Sequence, residues 1–174
     1  MLLQPSPHRN ASGFTLVEAM VVVAIAGILV GFAYSGFSSV AKRQRGQAAI
    51  KRTGWVLKQC QMKAIEKHLC CTVSVDNATD ILMTFLEDPD DPPNLTLDGN
   101  DTLLERVDFV EEYNNDIDIV AGNSFFYNFR GFPSFGAAEQ MIRLDRRDNP
   151  AEDANVTISR FGRINLEIPD SWQY

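Results

Sequence analysis

The chain has 174 residues and a mass of 19.5 kDa, which is enough for one domain together with an anchoring segment. Its 23 acidic and 16 basic residues give a formal net charge of −7, which argues against a protein that binds nucleic acid over its whole surface. Three cysteines are too few for a disulfide-dense scaffold, and no Cys-x-x-Cys pair or Cys/His cluster indicates a zinc site.

The first predicted element is an apolar helix that is long enough to cross a bilayer. Residues 19–34 carry no charge, and the apolar run extends back to Phe14 with only Thr15 and Glu18 as polar interruptions. About 20 apolar residues span a membrane as a helix, whereas a core helix of a soluble protein normally keeps a polar face. The sequence therefore predicts a membrane-spanning helix over residues 14–35.

A carboxylate at the edge of such a helix is costly and usually has a partner or a function. The residues around it read Ser12-Gly13-Phe14-Thr15-Leu16-Val17-Glu18, which resembles the class III signal of type IV pilins and type II secretion pseudopilins. In that family a dedicated peptidase cuts after the glycine and methylates the new N-terminus. The resemblance implies a leader of residues 1–13, cleavage between Gly13 and Phe14, and N-methylation of Phe14. It also implies that Glu18 serves subunit assembly by pairing with the Phe14 amine of a neighbouring subunit.

Two features of the sequence favour other interpretations of this terminus. Residues 33–35 before Gly36 form a small-residue site at which an ordinary secretory signal could be cut. The bases also lie mainly downstream of the apolar run, so the positive-inside rule places the C-terminal part in the cytoplasm, opposite to the family resemblance.

Gly27 and Gly31 form a Gly-x-x-x-Gly step within the apolar helix. Small residues at this spacing let two helices approach closely, which predicts a helix-packing role. The alternative is that glycine is simply frequent in membrane helices.

The same helix is predicted to continue as an amphipathic segment over residues 36–70 and to end near His68. Small and apolar residues recur at steps of three and four, which is the helical period. Gly46 and Gly54 weaken this prediction locally, because each costs about 1 kcal/mol relative to alanine. The buried stripe is predicted to consist of Ile50, Thr53, Leu57, Cys60 and Ala64, thickened by Trp55, Val56 and Ile65.

Short alternating segments separated by turn residues follow, and they predict a β-rich domain over residues 71–174. A long helix followed by many short strands is typical of an α+β fold, here a helix packed on an antiparallel, pilin-like body. The predicted strands cover residues 71–75 and 81–86 as a hairpin, then 103–110, 117–120, 125–129, 141–144, 156–159 and 164–168.

Three loose body motifs resemble the GspH/FimT group of minor pseudopilins. They are residues 63–67 leading into 72–75, residues 126–133 followed by 142–144, and residues 156–159 with 162–164. The resemblance implies a non-enzymatic minor subunit of a type II secretion system or type IV pilus. Its implied partners are prepilin peptidase, other pilins and an inner-membrane assembly platform, with the body in the periplasm or in a fibre.

Residues 76–118 carry fourteen carboxylates and one base, Arg106. Calcium prefers clustered oxygen ligands near a glycine turn, so Asp88, Asp90, Asp98 and Asp101 are weak candidate ligands, although their spacing is not that of an EF-hand. A solvated acidic loop is the alternative, and no other cofactor is expected.

The cysteines leave the redox state open. A continuous helix from Cys60 to Cys70 would separate them by ~15 Å, whereas a disulfide needs Cα atoms within about 7 Å. Cys60 could therefore form a bridge only if the helix ended early.

A DNA-binding competence pilin is the alternative function. Some FimT-like pilins bind DNA through a basic C-terminal stretch, and here Arg160 and Arg163 flank Phe161-Gly162 without the second arginine of that pattern. Removal of residues 1–13 leaves a net charge of −8, which opposes DNA affinity. The sequence carries no motif of an enzyme active site, so no catalytic residue is predicted.

Overall fold

The computed structural model describes residues 15–90, 93–134 and 139–173, except for the side chains of residues 33–35 and 151–152. The chain divides after Ser39 into an N-terminal unit and a body that begins at Val40. In chain order the elements are α1 (Leu16–Lys67), β1 (Cys71–Asp76), β2 (Ile81–Leu86), β3 (Thr102–Asp108), α2 (Phe109–Glu112), β4 (Ile117–Ala121), β5 (Phe125–Tyr127), β6 (Pro133–Ser134), β7 (Gln140–Arg146), β8 (Asn149–Ile158), β9 (Ile164–Glu167) and a 3-10 turn (Asp170–Trp172).

The strands form two antiparallel sheets. One has five strands in the order β3-β2-β1-β5-β6, and the other has four in the order β4-β7-β8-β9. The β1–β2 hairpin pairs Cys71 with Leu86 and Asp76 with Ile81. This confirms the predicted fold class, a long N-terminal helix with an antiparallel β-rich body.

The C-terminal half of α1 contributes the helical side of the body's core. All five residues of the predicted stripe are fully buried, as is Val56. Trp55 and Ile65 were wrongly predicted to belong to it, since they are 51% and 47% exposed. Trp55 lies about 200° around the helix from Leu57, and the Arg52 guanidinium stacks 4.8 Å from its ring centroid.

Gly46 and Gly54 of α1 are contact points for residues near the C-terminus, although by helix propensity they were expected to weaken the helix. A Cβ on Gly46 would lie 2.7 Å from Cε3 of Trp172, and one on Gly54 would lie 2.9 Å from Cδ2 of Leu166. Trp172 is fully buried, so the C-terminal turn packs directly on the helix backbone. The missing side chains create this approach and offset the lower helix propensity of glycine.

Two predicted strands are shorter in the structure because turn chemistry interrupts them. The strand predicted for residues 103–110 ends at Asp108, whose side chain caps α2 by accepting the Glu111 N–H at 3.2 Å. The strand predicted for residues 125–129 ends at Tyr127, because Asn128 begins a tight turn. Helix α1 ends at Lys67, since His68 adopts a positive φ of 57°.

Candidate processing and assembly site

The N-terminus of α1 is capped by Thr15. The Glu18 N–H donates to Thr15 Oγ1 at 3.3 Å, and the Ala19 N–H donates to the Thr15 carbonyl oxygen at 3.2 Å. A threonine followed three residues later by a glutamate is a capping-box spacing, which favours helix initiation at this point. Within the part of the chain that the structure describes, the Glu18 carboxylate has no hydrogen-bond or ion-pair partner. The predicted cleavage and methylation residues, Gly13 and Phe14, lie outside the described residues.

The apolar side chains that follow are exposed to an unusual degree. Large residues from Leu16 to Phe32 are more than half exposed, including Phe32 at 75%. By length and composition α1 is able to cross a membrane, and it is the one such helix among the described residues. A Cβ added to Gly27 or Gly31 would meet no atom within 4 Å. Both glycines therefore leave backbone open to an approaching helix, and their packing role stays a prediction.

A disulfide joins the helix to the first strand. Cys60 and Cys71 are bonded, with their Cα atoms 5.8 Å apart. The condition derived from the sequence is met because the helix stops at Lys67 and the chain reverses through His68. Cys70 is a free, partly buried thiol, and burial raises its pKa.

The predicted C-terminal arginines belong to one of two matched turns. Ser159 and Arg163 close one turn, in which the Gly162 N–H donates to the Ser159 carbonyl at 2.8 Å. Asn128 begins the other, in which the Gly131 N–H donates to the Asn128 carbonyl at 2.8 Å. Both glycines have positive φ, 77° at Gly131 and 75° at Gly162, which favours glycine over any other residue.

Gln61 of α1 holds the two turns together. Its Nε2 donates to the Gly131 carbonyl at 2.8 Å and to the Gly162 carbonyl at 3.2 Å. Its Oε1 accepts from Lys58 Nζ at 2.7 Å. Sequence reasoning missed this residue. The sequence did carry a signal for the two turns that Gln61 joins. A polar residue recurs three positions before a glycine, in Asn128-Phe-Arg-Gly and Ser159-Arg-Phe-Gly.

The turns display aromatic and basic side chains. Phe161 is 76% exposed between Arg160 and Arg163, and Phe129 is 48% exposed. The Arg130 guanidinium lies 5.3 Å from the Phe129 ring centroid, within cation–π range. The structure therefore joins the turn that carries Arg160 and Arg163, through Gln61, to the turn that carries a third arginine, Arg130, which the sequence did not connect with them.

Three of the four candidate calcium ligands, Asp88, Asp98 and Asp101, act as acceptors for backbone amides of their own loop. Asp101 accepts the N–H groups of Asp88 at 3.1 Å and Asp98 at 3.0 Å. Asp88 accepts the Asp90 N–H at 3.0 Å, and Asp98 accepts the Asn100 N–H at 3.0 Å. No group of three or more potential metal-ligating side chains occurs among the residues that the structure describes. Calcium binding stays untested.

Glu87 anchors the start of this loop and is 3% exposed. It accepts hydrogen bonds from Thr72 Oγ1 and, at 3.4 Å, from the Asn94 N–H. Burial raises the pKa of the Glu87 carboxyl above its ordinary value of 4.5, outweighing the lowering effect of these two bonds.

Comparisons with known proteins place the N-terminal segment in a defined class. Residues 8–34 match the family described as "Prokaryotic N-terminal methylation motif". This match confirms the predicted prepilin-type signal, and with the apolar helix it indicates membrane anchoring. No curated protein matches the chain.

Two solved minor subunits are similar in structure to part of this chain at low sequence identity. The minor pseudopilin EpsH of the Vibrio cholerae type 2 secretion system has a TM-score of 0.49 and 16% identity, over 71% of this chain and 97% of EpsH. The type IV minor pilin FimU of Pseudomonas aeruginosa has a TM-score of 0.49 and 14% identity, over 72% of this chain and 98% of FimU.

Proposed function

We propose that the chain is a minor pseudopilin or minor pilin of the GspH/FimT type, a non-enzymatic subunit of a type II secretion system or a type IV pilus. The observation that carries this proposal is the methylation motif over residues 8–34, which includes the exposed apolar part of α1. In this function residues 1–13 are a leader, 14–35 a membrane helix, 36–70 its amphipathic continuation and 71–174 the globular pseudopilin domain. Prepilin peptidase cuts between Gly13 and Phe14 and methylates Phe14.

Glu18 is the proposed assembly residue. Its carboxylate stands among exposed apolar side chains and has no partner within the described residues, so insertion into a bundle of helices would bury an unpaired charge. The amine of a neighbouring subunit's Phe14 is the cation that would offset this cost. Gly27 and Gly31 are proposed to let the neighbouring helix approach.

The Cys60–Cys71 disulfide supports an exported body. Disulfides persist in oxidising compartments and are rare in the cytosol of mesophiles. The bridge therefore favours the orientation that the family resemblance implies over the one that the downstream bases imply. We place the helix in the inner membrane, with an assembly platform and other pilins as partners and the body in the periplasm or a fibre.

Replacement of Glu18 tests this function. We expect Glu18→Ala to be cleaved normally but to enter the fibre at least about tenfold less, because the neighbouring amine loses its counter-charge. The measurement is the amount of processed subunit in sheared or cross-linked fibres, with Glu111→Ala as a control for loss of an exposed glutamate in the body. Normal incorporation of Glu18→Ala would exclude the assembly role.

DNA capture is the second candidate function. The exposed Phe161 between Arg160 and Arg163 offers a stacking ring next to phosphate-binding cations, which is the chemistry of single-stranded nucleic-acid sites. A gel shift at physiological salt tests it, with tight binding that is lost in Arg160→Ala/Arg163→Ala as the required result.

A further inference from the structure

The two matched turns and helix α1 build one continuous surface around Gln61. It consists of two exposed phenylalanines and three cations, which we call the basic turn surface: Lys58, Phe129, Arg130, Phe161 and Arg163. The hydrogen bonds of Gln61 to Lys58 and to both glycine carbonyls fix the relative positions of its parts. The surface is thus held by a buried side chain and both positive-φ glycines, as a rigid binding surface requires.

The two arginines of this surface are not held in ion pairs within the described part of the body, although Glu139 and Glu167 line the same cleft as Phe161 and Arg163. Most of the other basic side chains of the body pair with carboxylates, as Arg45 does with Asp116 at 2.5 Å and Arg52 with Glu105 at 2.6 Å. Across the described ranges, Arg130 and Arg163 form no ion pair. Arginines that form no ion pair and lie next to exposed aromatic rings, on a protein with an excess of acid, have the composition of a binding hot spot.

Complementary charge lies beside it on the same body. The four loop carboxylates Asp88, Asp90, Asp98 and Asp101, called here the acidic loop, pair with no basic side chain in the part of the chain that the structure describes. Phe129 of the basic turn surface and Asp88 of the acidic loop line the same cleft, of about 300 Å³, together with Cys70 and Glu87. The two surfaces of opposite charge therefore adjoin at Phe129.

We propose that this composite face binds a second copy of the chain. When a basic and an acidic surface lie side by side, a two-fold rotation places each against its opposite in the other copy, which gives a self-complementary isologous contact. The arginines would then pair with the partner's loop carboxylates, and Phe129 and Phe161 would supply the apolar contact area. This inference concerns the body alone and does not depend on the proposed function.

Isotope-resolved cross-linking tests the contact. Full-length chain carrying Phe161→p-benzoylphenylalanine is made unlabelled and ¹⁵N-labelled, mixed in detergent and irradiated, and cross-linked peptides are identified by mass. We expect unlabelled–labelled cross-links that end in the segment containing Asp88 and Asp101. Raising the salt from about 0.1 M to about 1 M should weaken them, because the screening length falls from ~10 Å to ~3 Å.

Charge reversal makes the test specific. Arg130→Glu/Arg163→Glu and Asp90→Arg/Asp98→Arg should each lose about tenfold in cross-linking on their own, because like charges then face each other. Mixing the two variants should restore it, because each reversed surface meets its opposite. Arg43→Glu/Lys51→Glu, which changes the net charge by the same amount as Arg130→Glu/Arg163→Glu, should cross-link like the unaltered chain.

A milder variant controls for misfolding of the charge-reversal variants. Arg130→Ala/Arg163→Ala keeps both turns, since these arginines take part in them through backbone N–H and C=O groups, and it should also lose cross-linking. Three results would overturn the proposal. The cross-links could be confined to one copy, they could end elsewhere in the body, or they could survive both arginine variants. Cross-links to an added oligonucleotide in place of those between copies would also overturn it, because they would assign the surface to nucleic acid.

Discussion

Single residues of this body carry tasks that their chemical type alone does not reveal. Gly162 has a positive φ of 75°, and a Cβ there would lie 2.4 Å from Gln61 Nε2 and 2.8 Å from the Gly131 carbonyl oxygen. The position combines a left-handed backbone with close packing against the side chain that joins the two turns. Any side chain at this position therefore strains the backbone and displaces Gln61 at once.

We expect Gly162→Ala to destabilise the protein by about 1–3 kcal/mol, through backbone strain and loss of the Gln61 bonds. Denaturant unfolding of the detergent-solubilised chain measures the change. Gly99→Ala is the matched control, because a Cβ there would meet no atom within 4 Å. Equal stabilities of the two variants would show that the Gln61 junction does not constrain Gly162.

Glu87 gives the stability of the body a pH dependence of defined sign. Burial raises the pKa of its carboxyl in the folded state above the ordinary 4.5, so the folded state binds the proton more tightly than the unfolded state. Its contribution is fully present below the ordinary pKa and is lost as the pH rises through the raised pKa. Glu87→Gln, which keeps an acceptor for Thr72 and Asn94, should remove this fall in unfolding free energy above pH 4.5.

The measurement is the unfolding free energy of both proteins at intervals from pH 4 to 8. Asp90→Asn serves as the control, because Asp90 is exposed and its carboxylate accepts no hydrogen bond within the described residues. If the difference between Glu87→Gln and the unaltered chain is the same at every pH, Glu87 does not titrate in the way proposed here.

At the scale of elements, periodicity and turn chemistry predicted most of the architecture. The helix, the β1–β2 hairpin and the burial of Leu57 and Cys60 follow from spacing that the sequence displays. The strand ends at Asp108 and Tyr127 did not, because capping and turn bonds there compete with strand pairing.

The contacts between elements could not be predicted from local sequence. By its sequence context Gly46 is a residue of low helix propensity. The structure shows that Trp172, 126 positions later in the sequence, packs on it. The Gln61 junction likewise joins turns that are distant in the chain. For the proposed assembly site, the motif predicts the positions of Gly13, Phe14 and Glu18. The proposed partner of Glu18 is the Phe14 amine of another subunit, and a single chain does not show such a contact.

The disulfide between α1 and β1 should contribute measurably to stability. Cross-linking residues 11 positions apart removes about 3 kcal/mol of chain entropy from the unfolded state by the loop-closure estimate. We expect Cys60→Ser/Cys71→Ser to lose about 2–4 kcal/mol in denaturant unfolding, whereas Cys70→Ser, which leaves the bridge intact, should stay close to the unaltered protein. Similar losses in both variants would mean that the bridge is not the stabilising element.

At the scale of the whole molecule, the chain combines an apolar N-terminal helix with an acidic β-rich body. The methylation motif spans residues 8–34, and the net charge after removal of residues 1–13 is −8. The methylation motif and the apolar helix indicate membrane anchoring, and association through Glu18, Gly27 and Gly31 belongs to the proposed function. The central claim is that prepilin processing exposes Phe14 and thereby creates the amine that Glu18 pairs with.

The most direct measurement of this claim is the mass of the N-terminal peptide of the protein isolated from its native membranes. The account predicts a chain that begins at Phe14 and carries one methyl group on its α-amine. A chain that begins at Gly36, as after conventional signal cleavage, or one that retains Met1 would contradict it, because neither would provide the amine that assembly through Glu18 requires.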